Sequence, residues 1–292
     1  MTLPLRFFAL GDWGREGSPE QRAVAAAMSR EARRARPAFV VSTGDNFYED
    51  GVASPDDPLF RRSFEAVYRD PALAGVPWHP VLGNHDHRGS AEAQVAYSAR
   101  SDRWRMPARR YVQRYPVGPG AEARFVFLDT TPLLDRYAPD GREPTPHAWA
   151  YDVDAEWAWI ERTLASPDGP PAAWTVVVGH HPVFSGSPFH GGAPELHARL
   201  RPLLERHADL YLCGHEHDLQ HLEAAGVHYV VAGGGSECRE TGALGETRFH
   251  AGRSGFLVAD LDADAMRLSL RDDAGGTLHA WTVERARQRA AA

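Results

Sequence analysis

Five places in the chain set metal-ligating side chains directly after a glycine. They are Gly11-Asp12, Gly44-Asp45 with Tyr48 three residues on, Gly83-Asn84-His85, Gly179-His180 and Gly214-His215-Glu216-His217. Carboxylate, amide oxygen, phenolate and imidazole suit iron, manganese or zinc, and no thiolate stands among them. His215 and His217, two residues apart, face one centre when the backbone is extended. Taken singly each motif is ordinary: Asp45 reads as a turn residue, Tyr48 as a half-buried aromatic, His180 as an interior histidine. Together they supply more donors than one ion with an open position can use. They suit two ions roughly 3.5–4 Å apart that share a bridging carboxylate, a pair that activates water and grips a phosphoryl group from two sides.

The elements that must position these residues follow from the apolar pattern. Strands are expected over residues 5–10, 38–43, 76–82, 124–129, 174–178 and 209–213, most of them running straight into one of the glycines. Helices are expected from Ser18, with Pro19 at the first position and Gln21 closing a capping box, to Pro37; from Asp57 onward; over 90–97; over 154–164; and over 194–207 with a kink at Pro202. Residues 131–150, rich in proline and charge, read as a loop. Beyond residue 214 the helices stop, and strands at 227–232, 256–261, 266–271 and 278–283 read as a β-meander spanning about 227–285. Continuous apolar strands imply sheets covered on both faces. The expected fold is therefore α/β, a four-layer αββα sandwich of two mixed sheets packed together and flanked by helices, in one domain over residues 1–292. In such sheets ligands bind at the carboxyl ends of the strands, where the five motifs fall.

Composition narrows the function classes. The net charge of −7 and the absence of a basic tract argue against nucleic acid as a partner. All 32 basic residues are arginine, which removes Schiff-base lysine chemistry. Cys213 and Cys238 are too few for a disulfide framework or a thiolate metal site and read as two buried thiols. No apolar run reaches the ~18 residues of a membrane span, and no signal-peptide pattern opens the chain. Membrane partners are thus not expected, and a monomer is the default state; the compartment stays open, with the cytoplasm as default and a secreted or periplasmic location as the alternative for a chain already trimmed of its signal.

The ordered set Asp-x-Gly, Gly-Asp-x-x-Tyr, Gly-Asn-His-Asp, Val-x-x-His and Gly-His-x-His resembles the calcineurin-like metallophosphoesterases, and within them the purple acid phosphatases of the small tartrate-resistant type. The resemblance covers about residues 5–235 and includes segments without a metal role, such as Val76-Pro77-Trp78 and Tyr211-Leu212-Cys213. It implies the metallophosphoesterase fold. It implies a first ion, Fe(III), held by Asp12, Tyr48 and His217, and a second, Fe(II), Zn or Mn, held by Asn84, His180 and His215, with Asp45 bridging. It places His85 and His190 in the outer shell, where they would contact phosphate. His181 departs from the pattern, since the animal enzymes carry tyrosine there.

The reaction this implies is hydrolysis of a small phosphate monoester by in-line attack of a metal-bound hydroxide, with Asp45 and Asn84 serving the ions and His85 and His190 donating hydrogen bonds or a proton. His85 could instead only orient ligands. His87 and His181 could line the substrate site or be solvated, while Glu216, Asp86 and Asp218 read as supporting carboxylates. Three alternatives stand beside this reading: a phosphodiesterase of the same fold, a non-catalytic metal-binding scaffold, and a mononuclear or redox iron protein. The diesterase relatives begin Asp-x-His, whereas Gly14 occupies that position here and Tyr48 can supply the missing ligand.

Overall fold

The apolar segments Leu5–Leu10 (β1) and Phe39–Ser42 (β2) are buried along most or all of their length and pair in parallel, with the short Trp78–Pro80 (β3) beside β2. The computed structural model describes residues 3–145, 151–166 and 169–285. Helix α1, Pro19–Arg34, connects β1 to β2, and Ser18 Oγ accepts the Gln21 amide at 3.2 Å as its N-cap. Gln21 closes the box on Gly17 N at 2.7 Å rather than on the capping residue. Helix α2 runs over Ala91–Tyr97 from the Ser90 cap. A hairpin follows, Tyr111–Gly118 (β4) with Ala121–Phe127 (β5). Helix α3, Val153–Ala165, leads to Trp174–Val178 (β6), and helix α4, Arg201–His207, leads to Leu210–Cys213 (β7). The remaining strands are Leu219–Ala224 (β8), Val227–Ala232 (β9), Thr247–Ala251 (β10), Gly255–Leu261 (β11), Ala265–Asp272 (β12) and Thr277–Glu284 (β13).

Two mixed sheets result. One has the order β13-β12-β11-β1-β2-β3 and the other β10-β8-β9-β7-β6-β5-β4. Their inner faces meet through rings: Phe7 of β1 and Phe39 of β2 each lie 5.2 Å from Phe125 of β5, edge to face. Val24, Ala27 and Met28 of α1 are buried within the same core, while Trp157, Ile160 and Leu164 of α3 and Leu204 of α4 cover Val126 and Val177 on the outer face of the second sheet. This is the expected layering of two mixed sheets between helices.

Several local expectations change. The helix expected from Asp57 does begin at Pro58, with Asp57 Oδ1 accepting the Leu59 amide at 2.9 Å as a cap, but it widens into a π-type turn over Phe60–Glu65. The 194–207 helix is a π-type turn over Leu196–Leu200 followed by α4, which lets Pro202 sit in a first turn where its missing N–H costs nothing. The 131–150 loop contains two 3₁₀ turns, Thr131–Leu133 and Asp135–Tyr137; residues 146–150 lie outside the described part. The C-terminal strands do not form one meander. β9 belongs to the second sheet beside β7, and only β11 to β13 form an antiparallel meander, in the first sheet. Cys213 is buried but Cys238 is exposed, and both are free. Among the described residues no helix is long and apolar enough to cross a membrane.

Beneath the β1 and β2 ends lies an aromatic cluster centred on Trp13. Its ring contacts Phe47, Tyr68 and Trp78 at centroid distances of 5.7, 5.6 and 5.4 Å, and its Nε1 donates to Ser42 Oγ at 2.7 Å. Truncating Trp13 would leave a large cavity next to Asp12. Trp13→Ala is expected to lower unfolding free energy by about 3–5 kcal/mol, measured by urea denaturation of the metal-free protein.

Candidate metal centre

The parallel strands β1, β2 and β3 of one sheet and β6 and β7 of the other end at the same edge of the sandwich. Each terminates in a sharp turn that carries donor side chains. Asp12, Asp45 and His215 hold φ values of 60°, 49° and 70°, a left-handed conformation that non-glycine residues adopt rarely and mostly at functional sites. Gly44, at φ +94°, makes the turn into Asp45. Gly14 is fixed by contact: a Cβ there would lie 1.7 Å from the Asn46 carbonyl oxygen. No histidine can stand at position 14 on this backbone, and the Tyr48 amide donates to the Gly14 carbonyl at 3.0 Å.

The seven residues expected to act as donors come together around Asp45. On one side the Tyr48 hydroxyl lies 3.0 Å from Asp12 Oδ1, 3.1 Å from Asp45 Oδ2 and 3.1 Å from His217 Nε2. On the other, Asn84 Oδ1 lies 3.2 Å from His180 Nε2 and 3.1 Å from His215 Nδ1, and His180 Nε2 is 3.5 Å from Asp45 Oδ2. All seven are buried. Asp45 is thus shared by two clusters. Its other oxygen accepts the His85 amide at 2.9 Å.

The donor set fits two cations. The single Tyr48 proton cannot serve three neighbours at once. His180 Nδ1 donates to the Thr43 carbonyl at 2.8 Å, which leaves a lone pair on Nε2 aimed at the cluster. The His180 and His215 nitrogens are 3.3 Å apart. Two nitrogens bound at 2.0–2.1 Å to one ion at a tetrahedral angle would be separated by roughly that distance. The electrostatics agree. Burial works against charge on Asp45, but His180 and His85 outweigh it and hold the carboxyl below its usual range. Burial likewise opposes charge on His180, yet Asp45 and Asp12 push it up to about 9. The field therefore draws positive charge to this point, and a proton and a metal ion compete for the same lone pair. Burial, with the charges of Asp12 and Asp45, raises the Tyr48 phenol well above its ordinary value, and Arg15 pulls it down. His180, His181 and His215 also form a group close enough to hold an ion. Both ring nitrogens of His181 already have partners, Thr130 Oγ1 at 2.9 Å and the Tyr137 hydroxyl at 3.1 Å. Asn84 is the better third donor.

The surrounding residues sort by contact. The His85 Nδ1–H donates to the Glu49 carbonyl at 2.5 Å, and its Nε2 lies 4.0 Å from Asp45 Oδ2. His190 packs 4.3 Å from the His215 ring. Glu216 points away from the centre, as expected, and accepts the His190 and Gly191 amides at 3.1 and 2.7 Å. His87 is neither solvated nor facing substrate: it is buried, with Nε2 2.8 Å from Asp129. His181 is buried too. Asp218 accepts from the Gln220 amide at 2.8 Å. A cavity of about 630 Å³ opens beside His181, His190 and His215, walled by the 134–142 and 190–195 segments. Thr130, whose Oγ1 accepts the His180 and His181 amides at 3.2 Å, went unrecognised in the sequence because no glycine precedes it.

Comparison with known proteins is decisive for the family. The pattern described as calcineurin-like phosphoesterase matches residues 5–219. Purple acid phosphatase 4 of Arabidopsis thaliana is 34% identical over 292 residues, covering 96% of this chain and 84% of the plant protein. Tartrate-resistant acid phosphatase type 5 of Sus scrofa is 34% identical, covering 95% and 86%. The chain belongs to the purple acid phosphatases. Among solved structures, GAP50, the anchor in the inner membrane complex of Plasmodium, superposes with a TM-score of 0.86 at 24% identity, over 99% of this chain and 91% of that one. A dimetal phosphatase from Danio rerio superposes at 0.65 and 14% identity, over 98% of this chain and all of the other. These two share the fold. What a purple acid phosphatase does with that fold depends on the donors at the strand ends.

Asp86 links two of those ends. Its buried carboxylate accepts the Asn46, Phe47 and Gly83 amides at 3.0, 3.2 and 2.9 Å and the Gln94 side chain at 2.7 Å. Burial and the charge of Asp45 push it up to about 7, against the N–H donors that favour the anion. An amide would turn an NH₂ toward these donors. Asp86→Asn is expected to cost about 3 kcal/mol in urea denaturation of the metal-free protein and to weaken metal retention in a chelator competition assay.

Proposed function

We propose that this purple acid phosphatase hydrolyses small phosphate monoesters, with Fe(III) held by Asp12, Tyr48 and His217, a divalent Fe, Zn or Mn ion held by Asn84, His180 and His215, and Asp45 between them. The observation that carries the reading is the convergence of two donor clusters on one buried carboxylate. Two bound ions lower the pKa of water and offset charge on a phosphoryl group.

The chain's own residues do the rest. Asp45 and Asn84 hold the ions through oxygen. His85, whose Nδ1–H is committed to the Glu49 carbonyl, turns its Nε2 toward the centre, 4.0 Å from Asp45 Oδ2. His190 lines the cavity, and Glu216 fixes its backbone and approaches its Nδ1 at 3.5 Å. It is placed to contact a phosphoryl oxygen or the leaving oxygen. The cavity of about 630 Å³ lies within the range of small-molecule sites and receives the leaving group. The Gly14 position, closed to histidine, favours the tyrosinate branch over the Asp-x-His diesterases.

The iron-loaded protein is expected to be coloured by tyrosinate-to-iron charge transfer, and Tyr48→Phe to be colourless. A colourless protein containing only zinc or manganese contradicts the iron assignment. Rates on an aryl phosphate are expected to exceed those on its bis-aryl diester; the reverse order would make the chain a diesterase. Asn84→Ala is expected to lower kcat by at least about 10²-fold, the scale of losing one preorganised charge-stabilising group, while leaving the unfolding midpoint of the metal-free protein unchanged.

A further inference from the structure

Arg15 follows the Asp12-Trp13-Gly14 turn and lies across the outer face of Tyr48. Its guanidinium carbon is 3.9 Å from the centre of the Tyr48 ring. Two carboxylates from distant parts of the chain hold it there, Glu49 Oε1 and Glu237 Oε2, each at 2.7 Å. Glu237 is also 3.3 Å from Arg239 and approaches His217 Nδ1 at 3.2 Å, off the hydrogen-bond direction. Two of the three groups around the first ion site are thus in contact with one clamp. The Tyr48 ring carries the cation and the His217 ring the anion.

We propose that Arg15 is a positioning residue of the metal centre, which, clamped by Glu49 and Glu237 on the face of Tyr48, sets how strongly that phenolate donates charge to its ion. The proposal rests on the iron-tyrosinate reading above. A cation on the ring face is attracted to its π electrons and lowers their energy. Transfer of charge from ring to ion then needs more energy, so the band lies at shorter wavelength. The ion also receives less charge, so its reduced form is favoured. Glu237 acts in the opposite sense. A carboxylate beside the far nitrogen of a ligating imidazole makes that ring a stronger donor and favours the oxidised ion. Surface ion pairs of this exposure contribute little to stability, so the clamp's effect is local to the two donors.

The test uses protein with iron in the first site and zinc in the second, so that the charge-transfer band and the Fe(III)/Fe(II) reduction potential both belong to the Tyr48-bound ion. Arg15→Gln is expected to move the band to longer wavelength and shift the equilibrium at least tenfold toward Fe(III), a potential lowered by about 59 mV for one electron. Arg15→Lys is expected to recover part of the Arg15→Gln loss, and Glu49→Gln, which frees one side of the clamp without touching His217, to move both readouts in the same direction as Arg15→Gln but by less. An Arg15→Gln protein whose band and potential stay in place, or move in the opposite direction, overturns the proposal. A colourless wild-type protein would instead overturn the iron-tyrosinate reading on which it rests.

Discussion

Asp45 is a fully buried carboxylate with neighbours on both sides. Its Oδ1 takes an amide hydrogen from His85, while its Oδ2 faces the Tyr48 hydroxyl and the His180 ring nitrogen. An ion this deep is tolerated only if opposite charge meets it. Much of the surrounding structure responds to that requirement. His180 presents a lone pair because the Thr43 carbonyl takes its other hydrogen. Asp12 adds a second anion close by, and its Oδ2 accepts the His215 amide at 2.9 Å, tying the turn after β1 to the turn after β7.

Holding the anions together costs backbone energy. Three donor residues sit at positive φ without being glycine, each at a cost of order 1–3 kcal/mol. The Trp13 cluster below and the amides converging on Asp86 offset that cost. The floor of the site is thus closely packed and hydrogen-bonded, while the 134–142 and 190–195 segments that wall the cavity lie outside the sheets.

The sequence made the centre legible because five strands announce their ends with a glycine and a donor. The inner strands were readable for the same reason that they are inner: both faces are buried, so β1, β2, β6 and β7 are apolar but for Arg6, Ser42 and Thr175. Three of the others were not. β4, β8 and β10 mix arginine, histidine, glutamine and glutamate with apolar residues and carry no clean period. The division of the C-terminal strands between two sheets was also hidden, because a strand's own residues do not say which sheet it joins. His87 could not be assigned from its neighbours, since its partner Asp129 is 42 residues away. The Arg15 clamp was invisible for the same reason, since Glu237 lies 222 positions beyond Arg15.

The central claim is that one buried carboxylate joins two metal sites. An anomalous-difference map from crystals of the metal-loaded protein tests it most directly. The account predicts two peaks roughly 3.5–4 Å apart, one against Asp12, Tyr48 and His217, the other against Asn84, His180 and His215, with Asp45 touching both. A single peak, or a second peak bound through His181 with Asn84 left free, would contradict it.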